Sequence, residues 1–155
     1  MGTVRREVRV DRPAADVWSV LGDPSTIQEW FPGIDDSVVD GASRVITTTS
    51  GLPMPEEIVT LDHLQRRFQY RLTIPLVRHH LGTIDVHDLG DGTSLVVYGT
   101  DAEPDTLALV IGGAAGAALH ELRRQLEADP TTGSGTATDF TMASTDSAND
   151  SEGGN

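Results

Sequence analysis

Two histidines and two glutamates stand out as side chains that could transfer protons. Glu56 and Glu57 are adjacent in one predicted strand, and His79 and His80 are adjacent in another. Because neighbouring residues of a strand point to opposite faces, neither pair can act together, which excludes a glycosidase-like carboxylate pair. His80 is the one candidate proton shuttle, since its pKa could lie near neutrality in an apolar interior.

Metal and cofactor chemistry find no support in the residue pattern. No His-x-His or Glu-x-x-His pair converges with His79, His80 or His87, as a metal site would require. The chain has no cysteine, so thiolate nucleophiles and cysteine-based zinc sites do not arise. Hydrolase, phosphate-binding and dinucleotide motifs are also missing. We therefore expect no metal, no cofactor and no confidently assigned catalytic residue.

Strand alternation selects the side chains that would face a common interior. Phe68 and Tyr70 share one face of a predicted strand, and the arginines that flank them are expected in solvent. The same alternation directs His80 inward from the next strand, and Tyr98 and Thr100 inward from the last. The polar tips of Tyr70, His80 and Tyr98 are therefore expected to converge.

Positioning these side chains requires a sheet and a helix to cover it. Residues 4–10 alternate between polar and apolar, and two short helices follow, the first started by Pro13 and the second ended by Pro32 and Gly33. Runs of period two then predict six strands of an antiparallel meander: 37–40, 43–49, 56–62, 67–74, 80–88 and 93–100. After residue 105 the period returns to 3.6, which predicts a helix through about Ala128.

Glycine occurs where bulkier residues are usual. Residues 112–118 of the long helix contain only glycine and alanine, and each mid-helix glycine costs ~1 kcal/mol relative to alanine. Two interpretations stay open: close packing of this helix on the sheet, or a cavity wall or hinge at its entrance. The strand glycines Gly82 and Gly99 favour bulges or bends that let the sheet curl. The expected apolar stripe of the helix is Leu107, Val110, Ala114, Ala118, Leu122 and Leu126.

Composition narrows the classes of partner. The chain has 155 residues and a formal charge of -13, which repels phosphate backbones, so nucleic acid is not an expected partner. No stretch approaches the ~18 to 20 apolar residues of a membrane span, and no signal-peptide pattern is found, so we expect a cytoplasmic protein without integral membrane association. The length suits one domain over residues 1–129, as a monomer or weak dimer, with an acidic disordered tail at 130–155.

Six short phrases, in order along residues 3–128, resemble the START and polyketide cyclase/dehydrase superfamily, the helix-grip proteins that also include birch-pollen-like allergens. The phrases are Pro13-Ala-Ala-Asp-Val-Trp-Ser-Val-Leu-Gly-Asp, Trp30-Phe-Pro-Gly, Leu61-Asp, Arg66-Arg-Phe-Gln-Tyr-Arg, Gly90-Asp-Gly-Thr-Ser and Glu103-Pro-Asp. The resemblance implies an α+β helix-grip fold. In that fold a seven-stranded antiparallel sheet curls around a long C-terminal helix, with two short helices after the first strand.

The resemblance also implies an elongated apolar cavity for lipids, sterols, hormones or polycyclic aromatics. It favours Glu56 over Glu57 as the inward glutamate, and Arg6, which breaks the alternation of the first strand, is a candidate partner for it. Trp30 either fills the core or contacts the ligand. The expected ligand-binding residues are Trp30, Glu56, Phe68, Tyr70, His80, Tyr98, Thr100, Leu107, Val110 and Ala114.

Three functions remain open at this point. Binding of a small hydrophobic ligand, lipid or polyketide-like, is favoured because it needs only an apolar cavity with a few orienting polar groups. A cyclase, aromatase or dehydratase would use His80, Tyr70, Tyr98 and Glu56 for proton transfer and orientation. A protein-interaction or stress module is the third alternative. Enzyme activity is thus possible, but a non-catalytic binding protein is preferred.

Overall fold

A computed structural model describes residues 1–128 as a seven-stranded sheet and three α-helices. The helices are α1 (Ala14–Leu21), α2 (Ile27–Trp30) and α3 (Asp105–Ala128), with a 3-10 turn at Pro24–Thr26. The strands are β1 (Gly2–Val10), β2 (Ile34–Asp40), β3 (Ser43–Thr48), β4 (Pro53–Asp62), β5 (Arg67–Leu72), β6 (His79–Asp88) and β7 (Ser94–Glu103). The predicted domain boundary at residue 129 and the predicted tail lie outside the described residues.

The sheet is antiparallel throughout and has the strand order β1-β7-β6-β5-β4-β3-β2. Strands β2 to β7 form a meander because each is joined to the next by a short link, and β1 then pairs with β7 along its whole length. The long helix α3 packs against β1 and β7. This architecture confirms the predicted helix-grip fold.

The sheet contains two irregularities, and neither is at a predicted position. The pairing register shifts between Ile34 and Asp36 and between Ile58 and Thr60. The pairing of β6 with β7 is continuous through Gly82 and Gly99, and that of β1 with β7 is continuous through Gly99. Neither glycine therefore forms a bulge in these pairings. A methyl group at Gly82 would overlap the ring of Tyr70, which shows that this glycine makes room for a neighbouring side chain.

Both the helices and the sheet contribute side chains to the core. Helix α1 follows Pro13 and buries Ala14, Val17, Trp18 and Leu21 on one face, as expected for an amphipathic helix. The second half of α3 buries Leu119 and Leu122, which pack with strand residues such as Val96. No helix within residues 1–128 is long and apolar enough to cross a membrane.

The predicted apolar stripe of α3 is correct in its second half and wrong in its first. Ala118 and Leu122 are buried, whereas Val110 is 70% exposed and Ala114 is also exposed. Residues spaced four apart drift by ~40° per step around a helix of 3.6 residues per turn, so a stripe with that spacing leaves the buried face. The buried positions are Ala108, Gly112, Ala115, Ala118, Leu119 and Leu122.

Each of the two interpretations of the glycine-rich segment agrees with the position of one residue in it. A methyl group at Gly112 would overlap Val4 of β1, and the Arg6 Nε donates to the Gly112 carbonyl at 3.1 Å. Gly112 therefore lets the helix lie close on the sheet. Ala114, by contrast, borders a cavity.

Candidate ligand-binding cavity

A cavity of about 230 Å³ lies between the inner face of the sheet and the first half of α3. Its walls come from α2 and the segment that follows it, from β3 to β7, and from α3. Most of the lining side chains are apolar, including Ile27, Phe31, Ile46, Met54, Leu72 and Ile111. Apolar walls with a few polar groups are typical of sites for small molecules.

Six of the ten residues predicted to bind a ligand border this cavity. They are Glu56, Tyr70, His80, Tyr98, Val110 and Ala114. The polar members come from four neighbouring strands, β4 to β7, so they form one polar wall in the otherwise apolar site. Their convergence follows from strand alternation, as the sequence predicted.

The other four predicted residues lie away from the cavity lining. Phe68 and Thr100 are buried in the sheet, and Leu107 is half-buried on α3. Trp30 is buried in the core, with its ring centroid 5.6 Å from that of Phe31. Phe31, which is not among the ten predicted ligand-binding residues, borders the cavity, whereas Trp30 does not.

Arg44 is the buried partner of Glu56. Its side chain is 1% exposed, and its Nη2 and Nε lie 2.6 and 2.7 Å from the Glu56 Oε2. A further bond runs from Nη1 to the carbonyl of Pro24 at 3.2 Å. The guanidinium also lies 5.0 Å from the ring centroids of Phe68 and Tyr70, a cation–π geometry. The arginine of this ion pair is thus held by a carbonyl and two aromatic rings as well as by Glu56.

The predicted pairing of Arg6 with Glu56 is wrong. The sheet order places β7, β6 and β5 between β1, which carries Arg6, and β4, which carries Glu56. Arg6 is exposed and bonds the Gly112 carbonyl instead. Arg44 was missed because β3 contains Val45 and Ile46 side by side, so alternation alone does not indicate which of the two faces is buried.

The glutamate that faces inward is Glu56, as the resemblance favoured. Glu57 points to the other face and pairs with Arg71 at 2.6 Å, where both side chains are partly exposed. Burial raises the pKa of Glu56, and the charge of Arg44 opposes that rise. The ion pair therefore carries a cost in desolvation that only the close contact with Arg44 offsets.

Two phenols form the centre of the polar wall. The hydroxyls of Tyr70 and Tyr98 are hydrogen bonded to each other, and both side chains are buried. Burial raises the pKa of Tyr98 to about 12 and raises that of Tyr70 well above its ordinary value. Both phenols therefore remain protonated at neutral pH and act as hydrogen-bonding groups rather than bases.

His80 is held neutral by its surroundings. Its Nδ1 accepts the backbone N–H of Leu72 at 3.1 Å, which places the ring proton on Nε2. The Nε2 atom is buried and has no hydrogen-bond partner within residues 1–128. Burial, helped by the nearby His79, lowers the pKa of His80 to about 4. The expectation of a pKa near neutrality is therefore wrong, because the ring loses its solvation.

The remaining histidines are apart from the cavity. His79 and His120 are exposed. For His79 this agrees with strand alternation, because its neighbour His80 faces inward. Within residues 1–128, no three histidine or acidic side chains lie close enough together to hold a metal ion.

Comparison with known families agrees with this geometry. The family model described as polyketide cyclase / dehydrase and lipid transport matches residues 1–127. The chain belongs to this family. No curated protein sequence matches it significantly.

Solved structures of other proteins share the fold of this family member. The protein XoxI from Bacillus cereus superimposes with a TM-score of 0.77 at 22% identity, covering 83% of this chain and 97% of the other. A protein from Thermobifida fusca has a TM-score of 0.69 and 29% identity, with coverage of 81% and 93%. The Zhui aromatase/cyclase from Streptomyces sp. R1128 has a TM-score of 0.66 and 22% identity, with coverage of 81% and 93%.

Proposed function

We propose that this protein binds a small hydrophobic molecule, aromatic or polyketide-like, in the cavity between the sheet and α3. The observation that carries the proposal is an apolar cavity whose polar groups are gathered on one wall, where they would orient a ligand. The volume of about 230 Å³ lies below the ~300 to 1,000 Å³ of sites for drug-sized ligands. A ligand of one or two rings suits this space better than a large polycyclic one.

Binding is favoured over acid–base catalysis by the states of the polar groups. His80 has a pKa of about 4, and its Nδ1 lone pair already accepts the Leu72 N–H. A general base works best when its pKa lies near the operating pH. Tyr70 and Tyr98 have raised pKa values, and Glu56 is held by Arg44. Neither His80 nor the two tyrosines are poised to exchange a proton near pH 7.

A cyclase or aromatase is the second candidate, and the polar wall favours it. Tyr70, Tyr98 and His80 border one cavity, and groups so placed could hold a flexible chain in a folded conformation. Orientation alone accelerates intramolecular reactions strongly. The fold is shared with the Zhui aromatase/cyclase. Turnover of a linear poly-β-ketone model compound, lost in Tyr98→Phe, would favour this candidate over simple binding.

The test of binding is a pair of alanine variants on α3. Ala114 and Ala117 are both exposed on α3, but only Ala114 of the two borders the cavity. We expect Ala114→Phe to weaken binding of 2-acetylnaphthalene by about tenfold, equivalent to ~1.4 kcal/mol, because the added ring occupies ligand space. Ala117→Phe is expected to bind like the wild type. Isothermal titration calorimetry measures both affinities.

Two outcomes would contradict the proposed function. One is equal affinity in Ala114→Phe and Ala117→Phe, which would place the probe elsewhere on the protein. The other is the absence of binding across a panel of one- and two-ring aromatic compounds. Thermal unfolding of each variant without ligand serves as the control that both substitutions leave the fold intact.

A further inference from the structure

The cavity holds a buried hydrogen-bond donor that the protein does not use. His80 is 4% exposed and borders the cavity, and its Nε2 has no partner within residues 1–128. Buried polar groups are almost always hydrogen bonded, and an unpaired one is costly. Because His80 borders the cavity, a ligand there is expected to supply the partner that its buried Nε2 lacks.

The tautomer of His80 determines what that partner must be. Since Nδ1 accepts the Leu72 N–H, Nε2 carries the proton and can only donate. With a pKa of about 4, the ring keeps this single state throughout the physiological pH range. The matching ligand group is therefore a hydrogen-bond acceptor and not a hydroxyl that needs to donate.

The tyrosine pair supplies a second donor on the same wall. When two hydroxyls bond each other, one proton lies in the bond and the other remains free to donate. No other hydrogen bond joins either hydroxyl to residues 1–128. The ring of Tyr70 lies 5.4 Å from that of His80, so the two side chains are neighbours at the cavity. A ligand oxygen bound near His80 would therefore have a second donor in the vicinity.

The charge of the wall excludes an anionic ligand. Glu56 is the one charged residue among the described side chains that border the cavity, and its partner Arg44 is already engaged with Glu56 and the Pro24 carbonyl. A carboxylate ligand would bury a second negative charge near Glu56 with no free cation to pair with it, which costs far more than burying a neutral group. A cationic ligand would gain no free counter-charge either, because Glu56 is already paired with Arg44. A neutral ligand therefore matches the cavity best.

We propose that the ligand is a neutral molecule of one or two rings that bears a carbonyl oxygen, and that His80 recognises this oxygen through its Nε2–H. The proposal rests on the proposed binding function and adds to it the chemical class of ligand. His80 acts here as a specificity-determining residue, since the donor is left unpaired by a hydrocarbon of the same shape.

Three probes of nearly equal shape test the recognition by calorimetry. They are 2-acetylnaphthalene, 2-isopropenylnaphthalene, in which a methylene group replaces the carbonyl oxygen, and 2-naphthoate, which is anionic. The wild type is expected to bind the ketone about tenfold more tightly than the hydrocarbon, from the gain of a hydrogen bond in a desolvated site. Binding of 2-naphthoate is expected to be weaker than that of either neutral probe.

Variants at position 80 separate recognition from structure. His80→Phe removes this donor and should lose most of the preference for the ketone over the hydrocarbon, leaving only what the free tyrosine proton supplies. His80→Gln can accept from the Leu72 N–H and still donate, and should keep most of the preference. A merely structural role would weaken both probes together. A downfield shift of the His80 Nε2–H proton in the NMR spectrum on adding the ketone would show the bond directly.

The possible failures are distinguishable. If the wild type binds the ketone and the hydrocarbon equally, or prefers 2-naphthoate, the inferred ligand class is wrong while the binding function stands. If none of the three probes nor the wider aromatic panel binds, the proposed function itself fails and this inference falls with it. The comparison of probes on the wild type decides the matter even if His80→Phe does not fold.

Discussion

Replacing Arg44 with methionine is expected to lower the free energy of unfolding at pH 7 by about 3–5 kcal/mol, because it leaves Glu56 as an uncompensated buried charge. Both side chains are almost fully buried, at 1% and 3% exposure, and are 2.6 Å apart. Burial already raises the pKa of Glu56, and the charge of Arg44 opposes that rise. Urea unfolding monitored by circular dichroism measures the change.

An exposed ion pair in the same sheet provides the matched control. Arg71 pairs with Glu57 at 2.6 Å, but the two side chains are 55% and 43% exposed. Arg71→Met should therefore cost no more than about 1 kcal/mol. The double variant Arg44→Met/Glu56→Leu should recover most of the lost stability, since it removes both buried charges. Similar losses in Arg44→Met and Arg71→Met would contradict this account of the buried pair.

Acidification is expected to destabilise the wild-type protein partly through His80. The pKa of this histidine is lowered from 6.5 to about 4 in the folded state, so the unfolded chain binds a proton more readily. Its stabilising contribution is full above pH 6.5 and is lost as the pH falls toward 4. Integrating the difference in bound protons between the unfolded and folded states from pH 7 to pH 4.5 gives a loss of about 2 kcal/mol in the free energy of unfolding. Urea unfolding at the two pH values measures the loss.

The variant His80→Gln isolates this contribution from that of the acidic groups. Carboxyls with lowered pKa values, such as Asp23, also weaken the fold in acid, but they do so equally in both proteins. The stability of His80→Gln should therefore fall by about 2 kcal/mol less than that of the wild type over the same pH interval. Parallel curves of stability against pH for the two proteins would show that His80 is not held neutral by burial.

The fold was largely predictable from the sequence, because its main signals are local. Runs of period two predicted six of the seven strands, and the alternation of residues 4–10 predicted the seventh. The return to a period of 3.6 after residue 105 predicted α3. The bulges were not predictable, since the register shifts near Ile34 and Ile58 carry no glycine. They depend on how whole strands fit together and not on any one residue.

The residues of the polar wall could be predicted where the alternation of a strand was unambiguous, and could not be predicted where it was ambiguous. Tyr70, His80 and Tyr98 lie on strands with one clearly apolar face, and all three border the cavity. Arg44 follows a serine and precedes two β-branched residues, so neither face was marked as buried. The protonation state and tautomer of His80 could not be predicted from the sequence either. They are set by desolvation and by the N–H of Leu72, eight residues away.

The pairing of β3 with β4 places Arg44 directly opposite Glu56, and this position limits how the two strands can align. A slip of one residue would turn one member of the pair to the outer face and leave the other charge buried alone. A hairpin misaligned by one residue would thus be penalised far more heavily than in a sheet of purely apolar inner residues. We therefore expect the ion pair to discriminate against this slip of the strands that carry the cavity, although desolvation offsets much of its own attraction.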